Sequence, residues 1–223
     1  MVKNFRGNSL PVQKPTSRPK YRQTQDSPGR NERVFQIIKL FARVLLTPFF
    51  RMEVAGAENL PADCAFILLA KHQRWADIPL LSLATARPLY YIAKFELFKN
   101  ALSNWFCSAL GGIPLNRQRP LESRRSLNAT IELLEKGEGI VIFPEGTYYR
   151  GQMGPGQPGM VRFVLSRLKL PFIPVGIHYA TGGWRIRVRI LFGKAFQPEP
   201  ALPLDKFFSH LMAEIAHLSG LPL

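Results

Sequence analysis

The feature that most constrains this chain is an alternation. From residue 65 onward, short apolar runs at 65–70, 89–92, 139–143, 172–178 and 185–191 take turns with segments of helical period at 80–84, 101–110, 121–135, 161–168 and 205–217. The short runs are rich in β-branched and aromatic residues and read as strands. Strands separated by helices pair in parallel through crossovers. The alternation therefore predicts an α/β fold with a largely parallel central sheet flanked by helices on both faces. At 223 residues the chain is long enough for one such domain and short for two. Residues 184–190 alternate strictly, Trp-Arg-Ile-Arg-Val-Arg-Ile. That pattern predicts a strand with one buried and one wet face, late in the sheet or at its edge.

Ahead of the alternation the chain is different. Residues 1–32 read as a basic disordered tail: Lys3, Arg6, Lys14, Arg18, Lys20, Arg22 and Arg30 face few acidic residues, Pro11, Pro15, Pro19 and Pro28 interrupt any period, and little is apolar. Such a tail is either a solvated leader or an arm for anionic lipid. Residues 33–50 predict a basic amphipathic N-terminal helix. On a helical wheel Gln36, Lys39, Arg43 and Thr47 share a narrow sector opposite Val34, Ile37, Ile38, Phe41, Val44 and Leu45. At 1.5 Å per residue the segment is about 25 Å long, short of the roughly 30 Å hydrocarbon core, and Lys39 and Arg43 would sit near the bilayer centre. Lying in the membrane interface, with both cations toward phosphates, is the better reading than spanning. Packing on the protein's own sheet is the alternative.

Charge supports a surface role. Lys+Arg is 30 against Asp+Glu of 15, a net +15, which attracts nucleic acid, acidic lipid headgroups or phosphorylated substrates. No nucleic-acid-binding motif accompanies it, so no nucleic-acid partner is expected. Nor is there an apolar leader with a cleavage site. The expected localisation is membrane-associated on the cytoplasmic face and monotopic. The cysteines, Cys64 and Cys107, lack metal or redox spacing and read as core thiols. No set of His, Cys and carboxylates has metal spacing, so no metal is expected.

The first candidate site follows the run at 65–70, where open α/β sheets place ligands: Lys71-His72-Gln73-Arg74-Trp75-Ala76-Asp77. His72 can take a proton near neutral pH. Asp77, at the start of a helix, can fold back onto the ring, fix its tautomer and stabilise the imidazolium. Further blocks occur at 93–117, at 143–147 as Phe-Pro-Glu-Gly-Thr, and at 172–176 as Phe-Ile-Pro-Val-Gly. Together, over residues 54 to 193, these closely resemble the glycerolipid acyltransferase family, whose best-known members are 1-acylglycerol-3-phosphate acyltransferases. Residues 51–223 would then be the acyltransferase domain.

The resemblance implies that His72 is the general base and Asp77 orients it. His72 would deprotonate the hydroxyl of a lysophosphatidic acid acceptor, which attacks an acyl thioester without an acyl-enzyme. It also implies substrate-binding roles for Lys94 and Arg117, whose cations suit a phosphate, and for Glu145, Gly146 and Thr147 of the third block. The fourth block, around Pro174, is linked to the donor side. No cofactor is implied; acyl-CoA or acyl carrier protein serves as co-substrate, and an anionic membrane surface and the lysophospholipid are the partners. The chain departs from the family pattern at Lys71, where asparagine is usual, at Asn116, and at Tyr148, where arginine is usual. Arg150 is the candidate replacement. These departures leave open another lysolipid or hydroxyl acceptor, and a basic binding protein without activity is the reading from another class.

Overall fold

A computed structural model describes residues 30–116, 123–180, 183–198 and 202–222. The strands are β1 (Phe50–Ala55), β2 (Phe66–Ala70), β3 (Leu89–Lys94), β4 (Gly112–Leu115), β5 (Gly139–Ile142), β6 (Phe172–Ala180) and β7 (Ile186–Phe192). The helices are α1 (Glu32–Leu46), α2 (Asp77–Ala84), α3 (Ala101–Ala109), α4 (Arg124–Glu135), α5 (Gly159–Leu165) and α6 (Leu204–Ser219). One seven-stranded sheet runs β1-β7-β6-β2-β5-β3-β4. All its pairings are parallel except β6–β7. This is the expected α/β architecture.

The central strands read as continuous apolar runs because both their faces are covered. Phe66, Leu68 and Ala70 of β2 point to the side of α2 and the end of α1, with Leu80, Leu81 and Leu46. Ile67 and Leu69 point the other way, into a cluster with Leu133 of α4, Val161 and Val164 of α5, and Leu211 and Ile215 of α6. Thus α1 and α2 cover one face, and α4, α5 and α6 the other. Gly176 of the fourth block serves this packing, since a Cβ there would lie 2.3 Å from the Leu218 carbonyl carbon. β7 behaves as its alternation predicts: Val188 and Ile190 are buried and Arg187 and Arg189 exposed. It is second from the edge, because β1 pairs along its outer side.

The N-terminal boundaries need correction. Asn31 caps α1, its side chain accepting from the Val34 N–H at 3.2 Å, so the helix starts at Glu32. Arg30 is no tail residue either: its guanidinium lies 4.5 Å over the Tyr90 ring and 3.8 Å from Glu138. Residues 1–29 of the expected tail lie outside the described residues. The helix stops at Leu46 rather than 50, because Pro48 cannot continue it and Phe50 opens β1. Its orientation also differs. Phe35 and Leu46 are buried, and Lys39 turns inward, its ammonium donating to the Thr85 carbonyl at 2.8 Å. Burial pulls the Lys39 ammonium below the usual lysine range. Ile37, Leu40, Phe41, Val44 and Leu45 face outward and are more than half exposed. No helix among the described residues is long and apolar enough to cross a membrane. Cys64 is exposed and Cys107 half-buried on α3, so neither is a core thiol.

Candidate active site

The segments that leave the carboxyl ends of the adjacent strands β2 and β5 meet each other. The Tyr149 N–H donates to the His72 carbonyl at 3.0 Å, joining the loop after β5 to the loop after β2. In the first loop the chain winds around the Asp77 carboxylate. Oδ2 accepts from His72 Nδ1 at 3.0 Å, from the Gln73 N–H at 2.6 Å and from the Arg74 N–H at 2.8 Å. Oδ1 accepts from the Tyr179 hydroxyl of β6 at 2.5 Å. A buried carboxylate held by several donors is favoured in its ionised form. It can then only accept, so Nδ1 of His72 carries the proton and Nε2 is left with a lone pair.

The ring is held in place. Phe143, directly after β5, stacks on it with centroids 3.8 Å apart and planes 19° apart, and Tyr148 meets it edge-on at 4.4 Å. Beneath the site lies a buried ion pair. Lys71 has no exposed surface; its ammonium donates to both Glu145 oxygens at 2.7 Å and to the Tyr149 carbonyl at 2.8 Å. Burial pulls the Lys71 ammonium below the usual lysine range, against the opposing pull of Glu145. Glu145 in turn accepts from the His72 N–H at 3.1 Å and the Gly154 N–H at 2.6 Å. Its side chain is fully enclosed, so Glu145 holds the two loops together rather than offering an oxygen to an acceptor as expected. Lys71 beneath it is the reason: the ammonium draws the carboxylate inward.

The other expected residues are placed as follows. Gly146 adopts φ +72°, the left-handed turn conformation that suits glycine. Thr147 and Arg150 are exposed in the same loop. Lys94 ends β3, exposed and in register with Leu115 of β4, at the same end of the sheet as His72 but two strands from β2. Arg117 lies outside the described residues. Pro174 is in β6 opposite Leu69 of β2.

Sequence reasoning missed several contributors. Tyr179 is 102 residues from Asp77, and no spacing rule links them. Gln73 lies inside the first motif, yet only the fold shows that its amide donates to the Ile177 carbonyl at 2.6 Å and accepts from the Gly151 N–H at 2.9 Å. An apolar groove of ≈ 370 Å³ also went unseen, because its walls come from separate elements: Phe35 of α1, Trp75 and Ile78 beside Asp77, Leu97, and Phe106 of α3.

The fold and this site define a class of protein: an α/β domain with a histidine–aspartate base pair at the carboxyl end of a parallel sheet, beside an apolar groove. A family model described as Acyltransferase matches residues 51–178, more than half of the chain, and the chain belongs to that family. It is 31% identical over 141 residues to a chloroplastic 1-acyl-sn-glycerol-3-phosphate acyltransferase of Brassica napus, covering 62% of this chain and 40% of that protein. It is 29% identical over 174 residues to the 1-acyl-sn-glycerol-3-phosphate acyltransferase of Bacillus subtilis, covering 76% of this chain and 82% of that one. The crystal structure of the 1-acyl-sn-glycerophosphate acyltransferase of Thermotoga maritima superposes with a TM-score of 0.66 at 26% identity, covering 83% of this chain and 78% of that chain. The chain spans about two fifths of the length of the chloroplastic relatives it matches.

Proposed function

We propose that this chain transfers a fatty acyl group from an acyl thioester to the free hydroxyl of lysophosphatidic acid, giving phosphatidic acid at a membrane surface. The observation that carries the reading is the His72–Asp77 pair, with Nε2 unengaged by Asp77 beside a groove of apolar side chains. Nε2 takes the acceptor's hydroxyl proton as the oxygen attacks the thioester carbonyl carbon. The C–S bond then breaks, and the imidazolium returns the proton to the departing thiolate. Asp77 stabilises the imidazolium in between. The groove suits an acyl chain. Lys94, Arg150 and Arg117 are the candidates for the acceptor's phosphate. The donor is acyl-CoA or acyl carrier protein, which present the same thioester arm. The outward apolar stripe of α1 would rest in the interface of a cytoplasmic membrane face.

The same chemistry on another lysolipid is the second reading, and Tyr148 favours it: an aromatic ring stands against His72 where the resemblance leads one to look for a phosphate-binding arginine. The test is transfer of a labelled acyl chain from each donor to lysophosphatidic acid in anionic liposomes, with a panel of other lysolipids alongside. Wild type should turn over, and His72→Ala should lose activity by at least about 10³-fold while remaining folded. Undiminished turnover in that variant refutes the mechanism. A clear preference for a phosphate-free acceptor replaces the first reading with the second.

A further inference from the structure

A second cavity lies apart from the groove, at the C-terminal end of α1. It has a volume of ≈ 280 Å³, many times the roughly 30 Å³ that one water occupies, and three arginines line it: Arg43 of α1, Arg51 of β1 and Arg185 ahead of β7. The topology sets its position. β7 runs antiparallel to β6, with Arg187 opposite Ala180, and β1 runs parallel to β7, with Phe50 opposite Ile186. The beginnings of β1 and β7 are therefore level with the carboxyl end of β6, the end at which His72 leaves β2.

The charges in this cavity are unbalanced. Arg162 and Arg189 have carboxylates in reach, Asp205 and Glu53. Among the described residues Arg43, Arg51 and Arg185 have none. Arg185 donates from one terminal nitrogen to the carbonyls of Thr47 and Phe50, closing the end of the helix. Its Nε is buried and has no acceptor. A buried donor without a partner asks for one, here an anion, and guanidinium groups match the geometry of phosphate oxygens. The rim is apolar and aromatic: Leu45, Phe49 and Trp184 are 53%, 60% and 84% exposed, and the Arg185 guanidinium lies 5.4 Å over the Trp184 ring. Tryptophan and arginine together suit the polar boundary of a bilayer.

We infer that this cavity binds the phosphate of an anionic bilayer lipid, separate from the acceptor being acylated. The inference rests on the reading that the domain works at a membrane. Occupied, the cavity fixes the edge of the sheet at the lipid headgroups while the stripe of α1 enters the acyl region, so the domain meets the bilayer at one tilt.

The test uses the full chain and sedimentation with vesicles of phosphatidylcholine, alone or mixed with phosphatidylglycerol. Arg43→Gln with Arg51→Gln is the probe, since neither arginine makes a side-chain hydrogen bond or ion pair that folding needs. Lys169→Gln with Lys206→Gln, exposed on the α4–α6 side, removes the same charge elsewhere. The arginine pair should weaken binding to the mixed vesicles by about tenfold or more, the lysine pair by much less, and neither should change binding to phosphatidylcholine alone. Equal losses in both pairs overturn the site and leave only a diffuse field. Soluble glycerol phosphate that stabilises the wild type but not the arginine pair, with no difference between vesicles, overturns the lipid in favour of a free phosphate ester. A wild type that binds neither vesicle overturns the membrane reading itself.

Discussion

The smallest unit of this site is a carboxylate and what donates to it. Asp77 is shared between its own loop and Tyr179, so the base on β2's loop and a residue of β6 are set by one group. Burial, reinforced by the Asp77 charge, pushes the Tyr179 phenol well above its ordinary value of 10.0, which keeps it a donor. Tyr179→Phe should lower turnover about tenfold with little change in KM, the loss of one hydrogen bond to a charged group, as steady-state kinetics would show. The sign with pH follows from the raised value. Below pH 10.0 the phenol is protonated folded or unfolded, and the stability difference between wild type and variant is constant; above it the unfolded chain releases the proton first, and the wild type's advantage shrinks. Chemical denaturation of both proteins across that range checks it. Lys71→Met should cost about 3–5 kcal/mol in urea unfolding by leaving Glu145 buried without its cation, and adding Glu145→Gln should recover part. His72 and Asp77 were legible in the sequence because five residues separate them in one loop. Tyr179 and the bracing role of Glu145 were not, since both depend on which strands become neighbours.

At the scale of elements, the alternation of apolar runs located most of the sheet, and its failures have physical causes. β4 is Gly-Ile-Pro-Leu, too short and too interrupted to read as a strand; as an edge strand it tolerates Pro114. β1 was absorbed into the apolar run of α1, where only Pro48 marks the break. The wheel of α1 recorded its amphipathicity but not its orientation: the polar sector holding Lys39 turns partly toward the protein, and apolar residues face out. The two sides should separate experimentally. Ile37→Ser with Phe41→Ser should leave thermal stability within about 0.5 kcal/mol and weaken vesicle binding at least about tenfold. Leu46→Ala, on the buried side, should instead cost about 2–5 kcal/mol of stability.

For the whole molecule, a net charge of +15 is a long-range field rather than a site. Raising ionic strength from about 0.01 M to 0.15 M shortens the screening length from roughly 30 Å to 8 Å. Association with anionic vesicles should fall over that range, while association with neutral ones, held by the apolar stripe, should hold or strengthen; flotation at both salts decides it. The arrangement of helices has a further consequence. α1, α2 and the catalytic ring occupy one side of the sheet, and α4, α5 and α6 the other. A catalyst with a single working side, laid on a film, meets its acceptor in two dimensions. Its rate then follows the number of acceptor molecules per unit area, not per litre. Spreading the same acceptor through more inert lipid slows it, and diluting the whole suspension with buffer, at unchanged surface composition, leaves the bound enzyme's pace as it was.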